Sequence, residues 1–166
     1  DWMAGKDPWS LLEASFKGNI SHQGIGKSVN YLSTPSERYA SNSLTDGKQG
    51  IESYLDKEWV GFENKNMEIV IDLGSVKEVG LLAARFLQYT PASIQLPSSV
   101  AYLLSKDGVN YQLAASVPME ISLNDQHDCW IDMAQAKVNG KARYIKVIAL
   151  TRGGWLFCDE VFVNPQ

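Results

Sequence analysis

The stretch Ala142-Arg143-Tyr144-Ile145-Lys146-Val147-Ile148-Ala149-Leu150 decides how the rest of the chain is read. Ile145, Val147 and Ala149 fall on one side of an extended segment, and Tyr144, Lys146 and Ile148 on the other. A period of two is a strand with one face buried and one partly wet, as in antiparallel sheets. The same alternation over 156–163 puts Phe157, Val161 and Val163 on one face, opposite Glu160 and Phe162. Working outward, six more β-rich segments occur at 28–32, 67–72, 79–87, 99–105, 112–117 and 129–133. Leu73-Gly74-Ser75, Lys106-Asp107-Gly108, Asn139-Gly140 and Arg152-Gly153-Gly154 separate them with residues that close turns. No internal repeat is present. The pattern predicts an all-β, eight-stranded antiparallel sandwich over 25–166.

Residues 1–24 read differently. Asp7 as an N-cap, Pro8 at the first helical position, the apolar face Trp9, Leu11, Leu12 and Phe16, and a stop at Gly18 predict a short helical lead-in. Such a helix, with Trp2 and Trp9, suits either packing on the domain or a linker. Between 32 and 66 runs a connection with little β pattern, rich in Ser, Asn, Gly, Tyr and Asp. Long irregular connections in compact domains are usually functional or stiffened by a ligand.

The 166 residues are 45% hydrophobic and 20% charged, which suits one folded domain and excludes a disordered or coiled-coil chain. Fifteen Lys and Arg against nineteen Asp and Glu give a net charge of −4, with no basic run to follow a phosphate backbone, so nucleic acid is not an expected partner. The apolar stretch 79–87 is interrupted by Arg85 and falls short of the roughly 20 residues that span a bilayer. Asp1-Trp2-Met3 supplies neither a basic nor an apolar leader region, so no signal peptide is expected in these residues. Cys129 and Cys158 lack zinc spacing and are too few for a disulfide framework; buried free thiols are expected, with a mutual disulfide as the alternative.

Catalytic signatures are lacking. His22 and His127 stand in no hydrolase or metalloprotease motif, and His127 reads as part of a solvated polar loop, Asn124-Asp125-Gln126-His127-Asp128. Asp46, Asp159 and Glu160 could furnish a carboxylate pair, but nothing marks one as acid and another as nucleophile. Gly24, Gly26 and Lys27 do not complete a phosphate loop.

What remains is a set of aromatic and planar polar groups: Tyr31, Tyr39, Trp59, Phe62, Gln88, Tyr89, Arg152 and Trp155. A sugar offers an apolar C–H face and a ring of hydroxyls, which an aromatic plane and fork-like donors at its edge can hold. Trp59 and Phe62, which precede a strand, read first as a plug at the end of the sandwich and second as sugar contacts, while Trp155 suits core packing and stacking on a ligand equally. Arg85, inside an apolar strand, reads as a buried ion-pair partner or else as a ligand clamp. A second group is Ser43-Leu44-Thr45-Asp46-Gly47-Lys48-Gln49-Gly50 together with Asp159-Glu160. Hard cations want several oxygens, and a Gly-rich turn lets carbonyls converge, although an Asp-Gly pair is ordinarily just a turn.

In order along the chain, Leu44-Thr45-Asp46-Gly47, Trp59, Ile69-Val70-Ile71-Asp72-Leu73-Gly74, Ser105-Lys106-Asp107-Gly108-Val109-Asn110-Tyr111, Ala142-Arg143-Tyr144-Ile145-Lys146-Val147 and Asp159-Glu160-Val161 resemble the discoidin-like, coagulation factor V/VIII type C domains. These include the family 32 carbohydrate-binding modules. Trp59-Val60-Gly61-Phe62-Glu63 and Trp155-Leu156-Phe157-Cys158-Asp159-Glu160 are similar to C-terminal modules of bacterial chitobiases and family 20 β-hexosaminidases, notably of Bacteroides-type organisms. The resemblance implies a jelly-roll sandwich of the galactose-binding kind, non-catalytic and extracytoplasmic, tethering a parent glycosidase to GlcNAc-, GalNAc- or galactose-type glycan. A structural interdomain module is the alternative. The sugar-binding residues expected are those of the aromatic and planar polar set, Tyr31, Tyr39, Trp59, Gln88, Tyr89, Arg152 and Trp155, read from the chain itself. The resemblance further implies a structural Ca²⁺, with Asp46 and Glu160 as side-chain ligands and carbonyls around Ser43 and Lys48 to Gly50 completing the shell. Two departures stand out: Cys129 and Cys158 do not occupy the terminal positions of the animal disulfide, and no loop histidine matches the sugar-binding set. The hexosaminidase catalytic pair belongs to a separate domain and does not map onto Asp159-Glu160.

Overall fold

A computed structural model describes the backbone of residues 8–123 and 128–166, and the side chains of these from residue 11 onward. Trp2, Asp7, the side chain of Trp9, and His127 with residues 124–126 lie outside the described residues. The described residues form one helix, α1 (Pro8–Lys17), and seven strands: β1 (Ser28–Tyr31), β2 (Val60–Glu63), β3 (Met67–Gln88), β4 (Ser99–Ser105), β5 (Gln112–Pro118), β6 (Trp130–Ala149) and β7 (Trp155–Val163).

β3 and β6 are the frame. They pair antiparallel over nearly their whole length, from Met67 opposite Ala149 to Gln88 opposite Trp130. Register slips between Asp72 and Lys77 and between Val79 and Leu81 bend both strands together. Their outer halves lie in one layer, ordered β1-β3-β6-β4-β5, and their inner halves in a second, ordered β2-β7-β3-β6. Seven strands therefore replace the expected eight: 67–72 and 79–87 are one strand, as are 129–133 and 142–150. The turns expected at 73–75 and 139–140 are corners where both strands of the pair bend together, the ladder resuming in a shifted register on the far side. The short edge strand β2 has no counterpart among the expected segments; four residues are too few to show a period.

Between the layers, Ile69, Ile71, Val100, Tyr102, Ile145 and Val147 meet Leu82, Ala84, Phe86, Ala134, Val161 and Val163, all fully buried. Each large apolar side chain among them stabilises the fold by roughly 1.5–3 kcal/mol. The Tyr102 hydroxyl donates to the Ala134 carbonyl at 2.6 Å, a direct bond from one layer to the other.

One expectation about β7 is overturned. Arg85 pairs with Glu160 but Phe86 with Cys158, so Asp159 is an inserted residue, a β-bulge. The bulge reverses the phase of the strand. Val161 and Val163 face the inner core, whereas Phe157 faces outward into a cluster with Trp59, Leu87, Ile94 and Ile131.

Helix α1 packs on the outside of the second layer, where Leu11, Leu12 and Ile20 cover Leu81, Ala83, Met133 and Phe162. Beside it the segment after the helix meets the C-terminal residues: the Gln23 amide donates to the Val163 carbonyl and the Gln166 amide to the Ser21 carbonyl, both at 2.8 Å. Cys129 and Cys158 are free thiols, and burial pushes the Cys158 thiol well above its ordinary value. No helix among the described residues is long and apolar enough to cross a membrane.

Candidate functional site

The loops 64–66, 89–98 and 150–154, with the start of the long connection, meet at one end of the sandwich. They are tied to each other by backbone bonds: Asn64 to the Gly154 carbonyl at 2.7 Å, Trp155 to Ser93 at 2.8 Å, Leu150 to Ser99 at 3.0 Å and Ser36 to Gly61 at 2.8 Å. Gly154 has φ +71, and a Cβ there would lie 2.5 Å from the Ser93 carbonyl oxygen, so only glycine admits this closure.

On this rim stands an aromatic ridge. Trp155, half-buried, meets Tyr39 edge-to-face at 5.2 Å and Phe157 at 5.7 Å, while Tyr39 lies 4.9 Å from Phe157. Tyr54 and Tyr89 stack nearly parallel at 5.4 Å. Both groups pack on the cluster of Trp59, Leu87, Ile94, Ile131 and Phe157, so the exposed rings rest on a buried apolar floor. The Arg38 guanidinium sits over Tyr39, 5.5 Å from its centre. Rings held this way are pre-organised for stacking, with little rotamer freedom left to lose.

The expected sugar residues divide. Tyr39, Tyr89 and Trp155 share the ridge. Trp59 does not present a surface: it is fully buried, its indole N–H donating to the Ile51 carbonyl at 3.0 Å. Gln88, 1% exposed, clamps Ser122 through both amide atoms, at 2.9 and 2.8 Å. Tyr31 turns in toward Phe62, 6.3 Å away, and burial pushes its hydroxyl up to about 12. Arg152 is exposed, but its guanidinium donates to the carbonyls of Leu96 and Met119, binding two loops together. Tyr54, which stacks on Tyr89, was missed by sequence reasoning; a tyrosine in the long polar connection was the available signal.

A second polar assembly lies away from the rim, where residues 42–50 run along β7 and the Val161 amide bonds to the Leu44 carbonyl at 2.8 Å. Asp159 takes the Gly50 amide at 2.6 Å and pairs with Arg85, which also donates to the Gly50 carbonyl at 2.9 Å and, from Nε, to Ser15 at 3.1 Å. Arg85 is thus a buried ion-pair partner, and Gly50's carbonyl is engaged on this side. Burial raises the Asp159 carboxyl above the usual range, with Arg85 pulling against it.

Glu160, on the other side, accepts from His22 Nε2 at 2.6 Å and from the Gly47 amide at 3.0 Å, both on Oε2. Its Oε1 is buried without a partner. Burial, then the neighbouring Asp46 carboxylate, pushes Glu160 up to about 10. Asp46 caps the Lys48 amide at 2.9 Å, and the Ser43 carbonyl receives the Asp46 amide at 3.4 Å. Two carboxyls, one with an orphaned buried oxygen, are donors a hard cation would take, although among the described residues no three His, Cys, Asp or Glu side chains converge to hold a metal, so loop carbonyls would have to complete the shell.

No family model and no curated protein sequence matches the chain. Solved structures do. The chitosan-binding module 1 of a chitosanase/glucanase from Paenibacillus sp. IK-5 superposes with a TM-score of 0.60 at 16% identity, covering 87% of this chain and 98% of that one. The Clostridium perfringens module CpGH89CBM32-5, in complex with GalNAc-β-1,3-galactose, gives 0.58 at 18% identity, with 87% and 98% covered. A Streptococcus pneumoniae fucose-binding module gives 0.59 at 19%, with 87% and 94% covered. The fold is therefore the β-sandwich of carbohydrate-binding modules, including family 32 modules. At such identities the likeness is one of fold, and it is the fold expected from the sequence.

Proposed function

We propose that this chain is a non-catalytic carbohydrate-binding module that tethers a glycosidase to glycan, with the rim ridge as its binding face. The observation that carries this is the half-exposed Trp155–Tyr39 pair, fixed edge-to-face on loops locked by Gly154. The ridge offers flat apolar surface to a pyranose, and the exposed Arg38 guanidinium stands beside it. GlcNAc-, GalNAc- or galactose-type glycans are the ligand class, in keeping with the sugars named for the structural neighbours. The parent is proposed to be an extracytoplasmic chitobiase or β-hexosaminidase, on the sequence resemblance. An open site of this kind binds with Kd on the order of mM to tens of μM, about −4 to −6 kcal/mol. Tethering then acts through local concentration rather than chemistry.

The test is an NMR titration with GlcNAc, GalNAc, galactose and chitobiose. The Trp155 indole and the amides of 93–95 and 152–155 should shift, and Trp155→Ala should weaken binding at least tenfold, about 1.4 kcal/mol. Spectra unchanged at high millimolar sugar would leave the interdomain role in its place.

The same reading gives the 43–50 loop a structural Ca²⁺ held by the Asp46 and Glu160 carboxylates, where it would neutralise two facing acids. Support comes from the partnerless, buried Glu160 Oε1. Excess chelator should lower the Tm of protein prepared with calcium.

A further inference from the structure

On the basis of the cation site proposed above, we infer that His22 is its positioning residue and couples that site to the seam between the segment after α1 and the C-terminal residues. His22 lies in the irregular segment after α1 and is 5% exposed. Two backbone donors point at its Nδ1, the amides of Gly24 at 3.1 Å and Val163 at 3.3 Å. A ring nitrogen that accepts carries no proton, so in the neutral imidazole the proton sits on Nε2. Nε2–H then donates to Glu160 Oε2 at 2.6 Å.

The consequence for Glu160 is geometric. With Oε2 held by His22 and by the Gly47 amide, the other oxygen, Oε1, is the one left for a cation beside Asp46. The ring itself is wedged. It meets Phe162 edge-on at 5.1 Å, and a Cβ on residue 24 would lie 3.1 Å from both His22 Nδ1 and Val163 Cγ2, so Gly24 keeps the space the imidazole needs. Partners that orient a ligating group in this way commonly change metal affinity 10–100-fold when removed, as an order of magnitude.

The imidazole sits in the seam between this segment and the C-terminal residues. The backbone of His22 forms a β-bridge with Pro165, the Gln23 amide holds the Val163 carbonyl at 2.8 Å, and Asn164 Nδ2 donates to Gln23 Oε1 at 2.8 Å. A cation seated on Oε1 fixes Glu160, Glu160 fixes the imidazole, and the imidazole holds the amides of Gly24 and Val163. Cation binding should therefore tighten the seam between residues 21–24 and 163–166.

The experiment is calcium titration of the purified 166-residue chain by calorimetry, with amide hydrogen exchange measured with and without CaCl₂. The wild type should bind calcium and then exchange Gly24 and Val163 several-fold more slowly, with the Val109 amide at the remote β4–β5 turn unchanged. His22→Phe should weaken calcium binding at least tenfold, and His22→Gln, which keeps a donor for Oε2, should recover part of it. Absence of calcium binding to the wild type overturns the cation site, and this inference with it. Binding that is equally tight in His22→Phe overturns only the role of His22. Should His22→Phe fail to fold, the wild type decides: calcium binding that leaves Gly24 and Val163 exchange unaltered overturns the coupling.

Discussion

Replacing Arg85 by Met tests the polar assembly under α1 most directly. Arg85 is 1% exposed, and its guanidinium bonds Ser15 of the helix, Gly50 of the long loop and Asp159 of the β7 bulge, lying between the rings of Phe16 and Trp59. Met keeps the apolar stem but leaves the fully buried Asp159 carboxylate facing only the Gly50 amide. Removing one partner of a buried pair costs about 3–5 kcal/mol, because the other charge stays desolvated. That is a large fraction of a stability of roughly 5–15 kcal/mol. At about 2–4 °C per kcal/mol for a domain of this size, the Tm should fall by roughly 6–20 °C. Urea unfolding followed by tryptophan fluorescence gives the free energy. The double variant Arg85→Met/Asp159→Leu removes both charges and should recover at least half of the loss. A single-variant loss below about 1 kcal/mol would refute the view that this pair joins helix, loop and bulge.

Tyr102→Phe should cost about 1 kcal/mol by chemical denaturation, since it deletes the layer-to-layer bond to Ala134. Gly154→Ala should lower stability and abolish glycan binding together, because its Cβ collides with the Ser93 carbonyl; sugar titration alongside thermal melting checks this. Asp107 accepts from the amides of Asn110 and Val109, from the Asn110 side chain and from Ser105 Oγ, which together hold its carboxyl well below the usual range. A depressed folded value means the stabilisation is present above the unfolded pKa of about 4 and is lost as pH falls through the folded one. Asp107→Asn should therefore melt below wild type at neutral pH and converge with it in strong acid. Thiol labelling of native protein should leave Cys158 unmodified until the chain unfolds.

The sequence by itself determined the local terms. Period-two alternation in 142–150 reports a sheet with one buried face, Asp7-Pro8 followed by an apolar stripe reports a short helix, and the Gly-containing turns mark where the chain changes direction. Because these signals span neighbouring residues, they survive without knowledge of what packs where. Tertiary structure alone decided that 73–75 and 139–140 are corners within continuous strands, since a corner and a turn use the same residues and differ only in whether the partner strand bends too. It also decided which aromatics are wet: Trp59, open in the chain to a plug or a sugar contact, is fully buried with its indole bonded to the Ile51 carbonyl, and Trp155 stands on the rim. His22 was invisible for the same reason. Its partners, Glu160 and Val163, are 138 and 141 residues away, and no pattern along a chain encodes a contact that exists only once such distant segments have folded together.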